Sequence, residues 1–267
     1  MLLREVGYAR PASLAEAIEL LRSDDGARAL AGGQTLVNVM KARAGSPDVL
    51  IDLNGLDELK GIDLAADGTL SIGAMTTYSE IVASAEARAR PIIGEVCAQI
   101  ADVQVRNRGT IGGNLCTNDP TNHLPPLMAA LGATMTIAGA DGERTVAAAE
   151  FFLGVYLTAV AQGEVLTRVT VPAGRADGFA AVTLGVDGTC IASAAASVNG
   201  RVTVALGCVD AVPVVLEPAS AGADDVRAAV AGSGIQPPSD VHASSAYRSH
   251  LAQVLAVRAV DQAREAA

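Results

Sequence analysis

Apolar residues recur at helical spacing near the start of the chain. Leu14, Ala17, Ile18 and Leu21 fall three or four apart behind Ser13-Leu14-Ala15-Glu16, which has the Ser-x-x-Glu form of a capping box, so a helix is predicted to about Arg22. Asp24-Asp25-Gly26 stops it. The short apolar run Ala27 to Ala31 then ends in Gly32-Gly33, the pattern of a strand entering a tight turn. A second short helix is expected over about 36–42, and Val49-Leu50-Ile51-Asp52-Leu53 reads as another strand. Together these elements make a compact α/β unit.

From about Gly55 the texture changes. Asp67-Gly68 is a turn between the strand-like runs Gly61 to Leu64 and Leu70 to Gly73, followed by a helix over about 78–85. A further apolar helix, about 92–101, precedes the glycine-rich stretch 109–114. A helix is expected over 124–131, and strands over 134–138 and 143–146 flank Asp141-Gly142. This middle section is α+β. The last third opens with Val165 to Val171, closed by Pro172, and a polar break at 173–178. Two β-type runs, Ile191 to Val198 and Arg201 to Gly207, are joined by Asn199-Gly200, the strongest hairpin signal in the chain. Helices are expected over 224–231 and 244–266, on either side of a loop containing Pro237-Pro238. No internal repeat or low-complexity tract is seen. Three consecutive subdomains follow: 1–55, 56–173 and 174–267.

Composition narrows the function classes. A chain of 267 residues, half of them hydrophobic, can bury a sizeable core. Its formal net charge of -10 argues against a surface built to neutralise nucleic-acid phosphates or to sit on anionic lipid. Met1 to Pro11 has no apolar run of signal-peptide length, and no later stretch approaches the roughly 18 apolar residues of a membrane span, so a soluble cytoplasmic protein is expected. Cys97, Cys116, Cys190 and Cys208 are scattered, with no pair at the spacing of metal or iron-sulfur motifs; they read as small buried hydrophobes. Three histidines and no tryptophan thin the catalytic candidates further.

Two segments could carry chemistry. Ala31-Gly32-Gly33-Gln34-Thr35-Leu36 sits between a predicted strand and a helix, where adjacent glycines let the backbone approach a ligand and free N–H groups attract an anion such as phosphate. Thr110-Ile111-Gly112-Gly113-Asn114 again has two glycines, between a hydroxyl and a carboxamide that could donate to phosphate oxygens. Either segment alone is equally readable as a plain turn. Neither is a Gly-x-Gly-x-x-Gly fingerprint or a P-loop, which disfavours a Rossmann or P-loop reading.

The pair, in this order, resembles the FAD-binding medium subunit of the molybdenum hydroxylases, the xanthine dehydrogenase and carbon monoxide dehydrogenase family. The resemblance extends through Ile51-Asp52-Leu53, Asn114-Leu115-Cys116, Leu124-Pro125-Pro126, Ala205-Leu206-Gly207 with Pro213, and Tyr247-Arg248. It implies an α+β protein: two N-terminal α/β subdomains clasping FAD in the PCMH-type fold, and a C-terminal domain of antiparallel strands and helices. It further implies that Ala31 to Leu36 and Thr110 to Asn114 wrap the FAD diphosphate, mainly through backbone N–H groups and the Thr35 and Thr110 hydroxyls. Ile100 and Leu166 fall where the family has apolar contacts to the flavin system; ordinary core packing is the alternative.

Two departures from the family pattern stand out. His123 occupies a position where many relatives have aspartate, so it is either a ligand to ribityl or phosphate oxygens or a surface or capping histidine. Thr183 stands where some relatives keep a basic residue near the flavin. The resemblance implies a three-component enzyme. A large molybdopterin subunit oxidises the substrate, a small subunit with two 2Fe-2S clusters relays electrons, and FAD on this chain passes them to an external acceptor, with a dimer of heterotrimers expected. No inserted cysteine cluster is present, so the extra iron-sulfur site of some relatives is expected to be absent. A stand-alone flavin oxidase of the same fold and a non-redox nucleotide-binding assembly protein are the competing readings.

Overall fold

The computed structural model describes residues 3–185 and 188–267; the first two positions of the Met1–Pro11 opening lie outside the described residues. Strand β1 (Gly7–Ala9), helix α1 (Leu14–Ser23), β2 (Ala27–Leu30), α2 (Leu36–Lys41) and β3 (Val49–Asp52) form the first unit, a parallel sheet in the order β1-β3-β2. Ser13 caps α1 by accepting from Glu16 N. Glu16 reaches back to the Ala12 N–H rather than to that of Ser13, so the box is closed one residue early. Ala17, Ile18 and Leu21 turn into a core with Ile51 and Leu53. Met75, Ala138 and Val165 complete that core from the next unit, which ties the two together.

The middle unit comprises β4 (Ile62–Leu64), β5 (Leu70–Gly73), α3 (Tyr78–Ala83), α4 (Pro91–Gln99), α5 (Val103–Arg106), α6 (Ile111–Thr117), α7 (Leu124–Ala130), β6 (Thr134–Gly139), β7 (Gly142–Ala147), α8 (Ala148–Phe151), β8 (Phe152–Gly154), β9 (Leu157–Thr158) and β10 (Val165–Val171). Its five-stranded antiparallel sheet runs β4-β5-β10-β6-β7, and β8 pairs with β9. The glycine-rich stretch does not remain a turn. From Ile111 it becomes the first turn of α6, because the Thr110 hydroxyl accepts from Gly113 N and nucleates the helix.

The last unit is the antiparallel sheet β11 (Asp177–Thr183), β12 (Cys190–Asn199), β13 (Arg201–Gly207), β14 (Val214–Leu216), with α9 (Ala223–Gly232) and α10 (Ser245–Glu265). The Asn199-Gly200 signal is realised: β12 folds onto β13 with Asn199 opposite Arg201 around Gly200 at φ +84°. The polar break yields to strand earlier than its composition suggests, because Asp177 is consumed by a buried ion pair. Arg90 Nε donates to Asp177 Oδ2 at 2.7 Å and Nη2 to Oδ1 at 2.9 Å, while Nη1 donates to the Pro172 carbonyl. Ser197 and Asn199 complete this junction between the middle and last units. Helix α7 is buried along its whole length between these two units. Among the described residues, no helix is long and apolar enough to cross a membrane.

Candidate functional site

The two glycine motifs, distant in sequence, meet. A Cβ placed on Gly32 would lie 2.0 Å from the Arg108 carbonyl oxygen, so only glycine lets the 31–36 segment press against the backbone that leads into α6. One placed on Gly113 would lie 2.9 Å from Thr110 Oγ1 and 3.5 Å from Ala31 Cβ, which puts the start of α6 directly across from the end of β2. Strand β2, paired in parallel with β3, thus delivers the first motif from its carboxyl end, the position where open α/β sheets expose ligand crevices. The second motif is strapped to the segment after β5: Tyr78 N donates to Gly109 O, Ile111 N to Thr76 O and Gly112 N to Ala74 O.

Between the motifs runs a cleft of about 1170 Å³, counting the space at its open mouth. Its walls include Ala31, Gly32, Gly33, Gln34, Thr35 and Leu36 on one side, and Thr110, Gly112, Gly113 and Asn114 on the other, with Tyr78, Val160 and Leu166 between them. The two sides differ in what they can offer a ligand. The N–H groups of Gly32 through Leu36 have no protein partner among the described residues, a row of five consecutive donors beside the cleft. In the second motif every N–H from Ile111 to Asn114 is spent: on Thr76 O, Ala74 O, the Thr110 hydroxyl and Thr110 O. The expectation that both motifs act mainly through backbone N–H groups is therefore corrected for the second. Its N–H groups build α6 and fasten it, and what it presents is the Thr110 O–H and the Asn114 carboxamide. Ile111 is fully buried beneath this surface.

A smaller recess, about 760 Å³ counting the space at its open mouth, adjoins the cleft, sharing Asn114 and Asn122 with it, and is lined by Ile100, Thr121, His123, Thr183 and Thr189 among others. Ile100 and Leu166, expected to serve one flavin system together, thus lie in different compartments. Leu166 is also a buried member of the middle core. His123 opens α7 at the cap position but makes no side-chain cap bond; its ring lies 5.2 Å from that of Phe179, and its Nδ1 is buried without a hydrogen-bond partner. The purely capping role is thereby set aside. Asn114 Oδ1 is likewise buried and unpartnered. Two residues on the lining of one recess thus each hold a buried polar atom without a partner, where buried groups of this kind otherwise find one.

This arrangement fits FAD. An extended dinucleotide needs a long cleft, a place for two phosphates, and polar contacts along its linker. The N–H row supplies oriented dipoles for the diphosphate. Among the described residues Arg28 is the guanidinium on the cleft wall, and its Nη1 donates to Asp25 O, Ala27 O and Gln162 Oε1. Among the described residues no group of three or more His, Cys, Asp and Glu could hold a metal ion.

Sequence reasoning missed a thiol pair behind His123. The Cys190 thiol is drawn down by hydrogen bonding with Cys208, against its burial, with the His123 imidazole and the Ser193 hydroxyl adding to the effect. Cys208 is pushed up by the same pairing and by burial, and its Sγ donates to the Pro120 carbonyl at 2.9 Å. Cys97 and Cys116 are pushed up to about 12 by burial and are inert hydrophobes, as expected. The signal that could have found the pair was the Asn199-Gly200 hairpin: its register sets Ser193 opposite Gly207 and so brings Cys190 and Cys208 to the same end of the ribbon.

Fold and site together define a cleft between two glycine motifs, with backbone donors along one side and hydroxyl and carboxamide groups along the other. Residues 4–174 match the family model described as the FAD binding domain in molybdopterin dehydrogenase. The chain is 37% identical to the carbon monoxide dehydrogenase medium chain of Afipia carboxidovorans, across 96% of both, and 35% identical to the glyceraldehyde dehydrogenase medium chain of Sulfolobus acidocaldarius, across 96% of this chain and 97% of that one. Among solved structures it superposes on a chain of the reconstituted CO dehydrogenase from Oligotropha carboxidovorans with a TM-score of 0.93 at 33% identity, covering all of both chains. With a chain of quinoline 2-oxidoreductase from Pseudomonas putida 86 the TM-score is 0.90 at 34% identity, covering 100% of this chain and 99% of the other. The chain belongs to the family of FAD-binding medium subunits of molybdenum hydroxylases. It is an oxidoreductase component whose cofactor is FAD.

Proposed function

We propose that this chain is the electron-transferring subunit of a three-component molybdenum hydroxylase, taking electrons from a small subunit with 2Fe-2S clusters and passing them to an external acceptor. Substrate oxidation belongs to a large molybdopterin subunit, and the assembly is a dimer of heterotrimers in the cytoplasm. The observation that carries this reading is the cleft itself: five unpaired N–H groups from Gly32 to Leu36 facing a wall of hydroxyl and carboxamide groups. Bound FAD supplies the redox chemistry.

The chain's residues bind and orient. Gly32, Gly33, Gln34, Thr35 and Leu36 donate to the diphosphate through their backbone; the Thr110 hydroxyl and Asn114 amide receive its other side, with Ala31 and Gly113 setting the width of the gap. His123 Nδ1 and Asn114 Oδ1 gain the partners they lack in the protein alone. Ile100 and Leu166 supply apolar surface in their separate compartments, so that Ile100 serves the end of the ligand near His123 and Leu166 the end near Val160. Purification of the native complex, with subunit mass and molybdenum and iron analysis, tests the reading. The expected result is co-purification with two further subunits, both metals and one FAD per copy of this chain. A chain that runs alone, without either metal, would contradict it.

A further inference from the structure

The end of strand β3, which lies beside the strand β2 that delivers the first glycine motif, leads into a network behind that motif. Asn54 Nδ2 donates to the Ala31 carbonyl at 2.8 Å and to Asp52 Oδ1 at 2.6 Å, and Asn54 N donates to the same oxygen at 2.9 Å. Both amide protons of Asn54 are thereby fixed, which leaves its carboxamide no alternative flip. The Tyr8 hydroxyl donates to Asp52 Oδ2. Burial pushes the Asp52 carboxyl up, but the hydrogen bonds from Tyr8 and Asn54, with the charge of Arg10, outweigh it and hold the carboxyl below its ordinary range. Asp52 is therefore a permanent acceptor at neutral pH, so this network does not switch.

The geometry at Ala31 has a directional consequence. Ala31 and Gly32 line the cleft and Asn54 does not, so the Ala31 carbonyl points out of the cleft toward the amide that it accepts from. In a planar trans peptide the N–H of the next residue points the opposite way. Fixing the Ala31 carbonyl against Asn54 aims the Gly32 N–H into the cleft. A glycine at position 32 leaves this peptide otherwise free to rotate, because no Cβ restrains it.

We propose that Asn54, oriented by Asp52 and Tyr8, is a positioning residue for the FAD diphosphate, setting the direction of the first donor in the N–H row. The inference rests on the FAD reading of the cleft. It assigns a role to a residue outside both glycine motifs, one that touches the backbone of the site and not the ligand.

The test is FAD titration of the full chain by fluorescence quenching, alongside hydrogen exchange of the Gly32 amide with and without FAD. In Asn54→Leu, which keeps the side-chain bulk and removes both donors, the FAD dissociation constant rises about tenfold, the worth of one oriented hydrogen bond. Protection of the Gly32 amide by FAD falls, while the Gln34 to Leu36 amides keep theirs. A loss of general stability would lower protection along the whole row, so this pattern separates positioning from a structural role. A dissociation constant within twofold of the parent, or unchanged protection at Gly32, overturns the proposal. Should Asn54→Leu fail to fold, Tyr8→Phe removes the outermost link at an exposed position. It is expected to weaken FAD binding about twofold to threefold and reduce Gly32 protection, and unchanged protection there overturns the proposal equally. A parent chain that binds no FAD sinks the cofactor reading itself; a parent that binds with an indifferent variant sinks only the role of Asn54.

Discussion

Replacing Gly113 by alanine puts one methyl group into the seam where the two glycine motifs meet. The new Cβ would stand 2.9 Å from Thr110 Oγ1 and 3.5 Å from Ala31 Cβ, so the threonine hydroxyl must move while the alanine is in ordinary contact. Two stability terms oppose each other. Glycine to alanine within a helix is worth up to about 1 kcal/mol, and the loss of a threonine cap costs about 1 kcal/mol. The apo chain should therefore keep its melting temperature to within about 4 °C. Ligand binding has no such offset. The methyl occupies space beside the diphosphate path, and overpacking of this kind costs about 1–3 kcal/mol, which weakens FAD binding roughly 5- to 150-fold. Fluorescence quenching of FAD by the apo chain measures the second effect, and a thermal melt without FAD measures the first. An unchanged dissociation constant at an unchanged melting temperature would refute the placement of the diphosphate in this seam.

Three further outcomes are expected. Arg90→Ala leaves Asp177 buried with its charge unpaired and should cost about 3–5 kcal/mol in denaturant unfolding; a loss below about 1 kcal/mol would show that the junction between the middle and last units is not held this way. His123→Ala should weaken FAD binding about fivefold, the worth of a hydrogen bond of about 1 kcal/mol, and unchanged binding would return His123 to a packing role. The Asp240 carboxyl is held down to about 2, from an ordinary 3.8, by the N–H groups of Ala243 and His242, with a further contribution from Arg248. Its folded pKa is depressed, so its stabilisation is complete above about pH 4 and is lost as pH falls toward about 2. Acid titration of stability should therefore be shallower in Asp240→Asn than in the parent across that window, and identical profiles would contradict the assignment.

How much of this was legible in the sequence depended on whether the determining contacts were local. The Ser13 cap, the helical spacing behind it and the Asn199-Gly200 hairpin act over a few residues, and each appears where the pattern puts it. The start of α6 was hidden because two glycines read as a turn, whereas the Thr110 hydroxyl and the contacts of Gly112 with Ala74 hold them in helix. For the same reason the pattern could not say which motif keeps its N–H groups free. That depends on a partner segment, 74–78, with no signature in the motif itself. Strand β11 begins inside the polar break because Asp177 is neutralised by Arg90, far away in the chain. The thiol pair and the Asn54 network likewise rest on register and on chain crossings rather than on spacing.

The central claim is that the two glycine motifs form a single FAD site, and direct titration of the purified, FAD-free full chain with FAD tests it. The account predicts saturation at one FAD per chain, with quenched flavin fluorescence. A chain that stays colourless and folded at saturating FAD would contradict it.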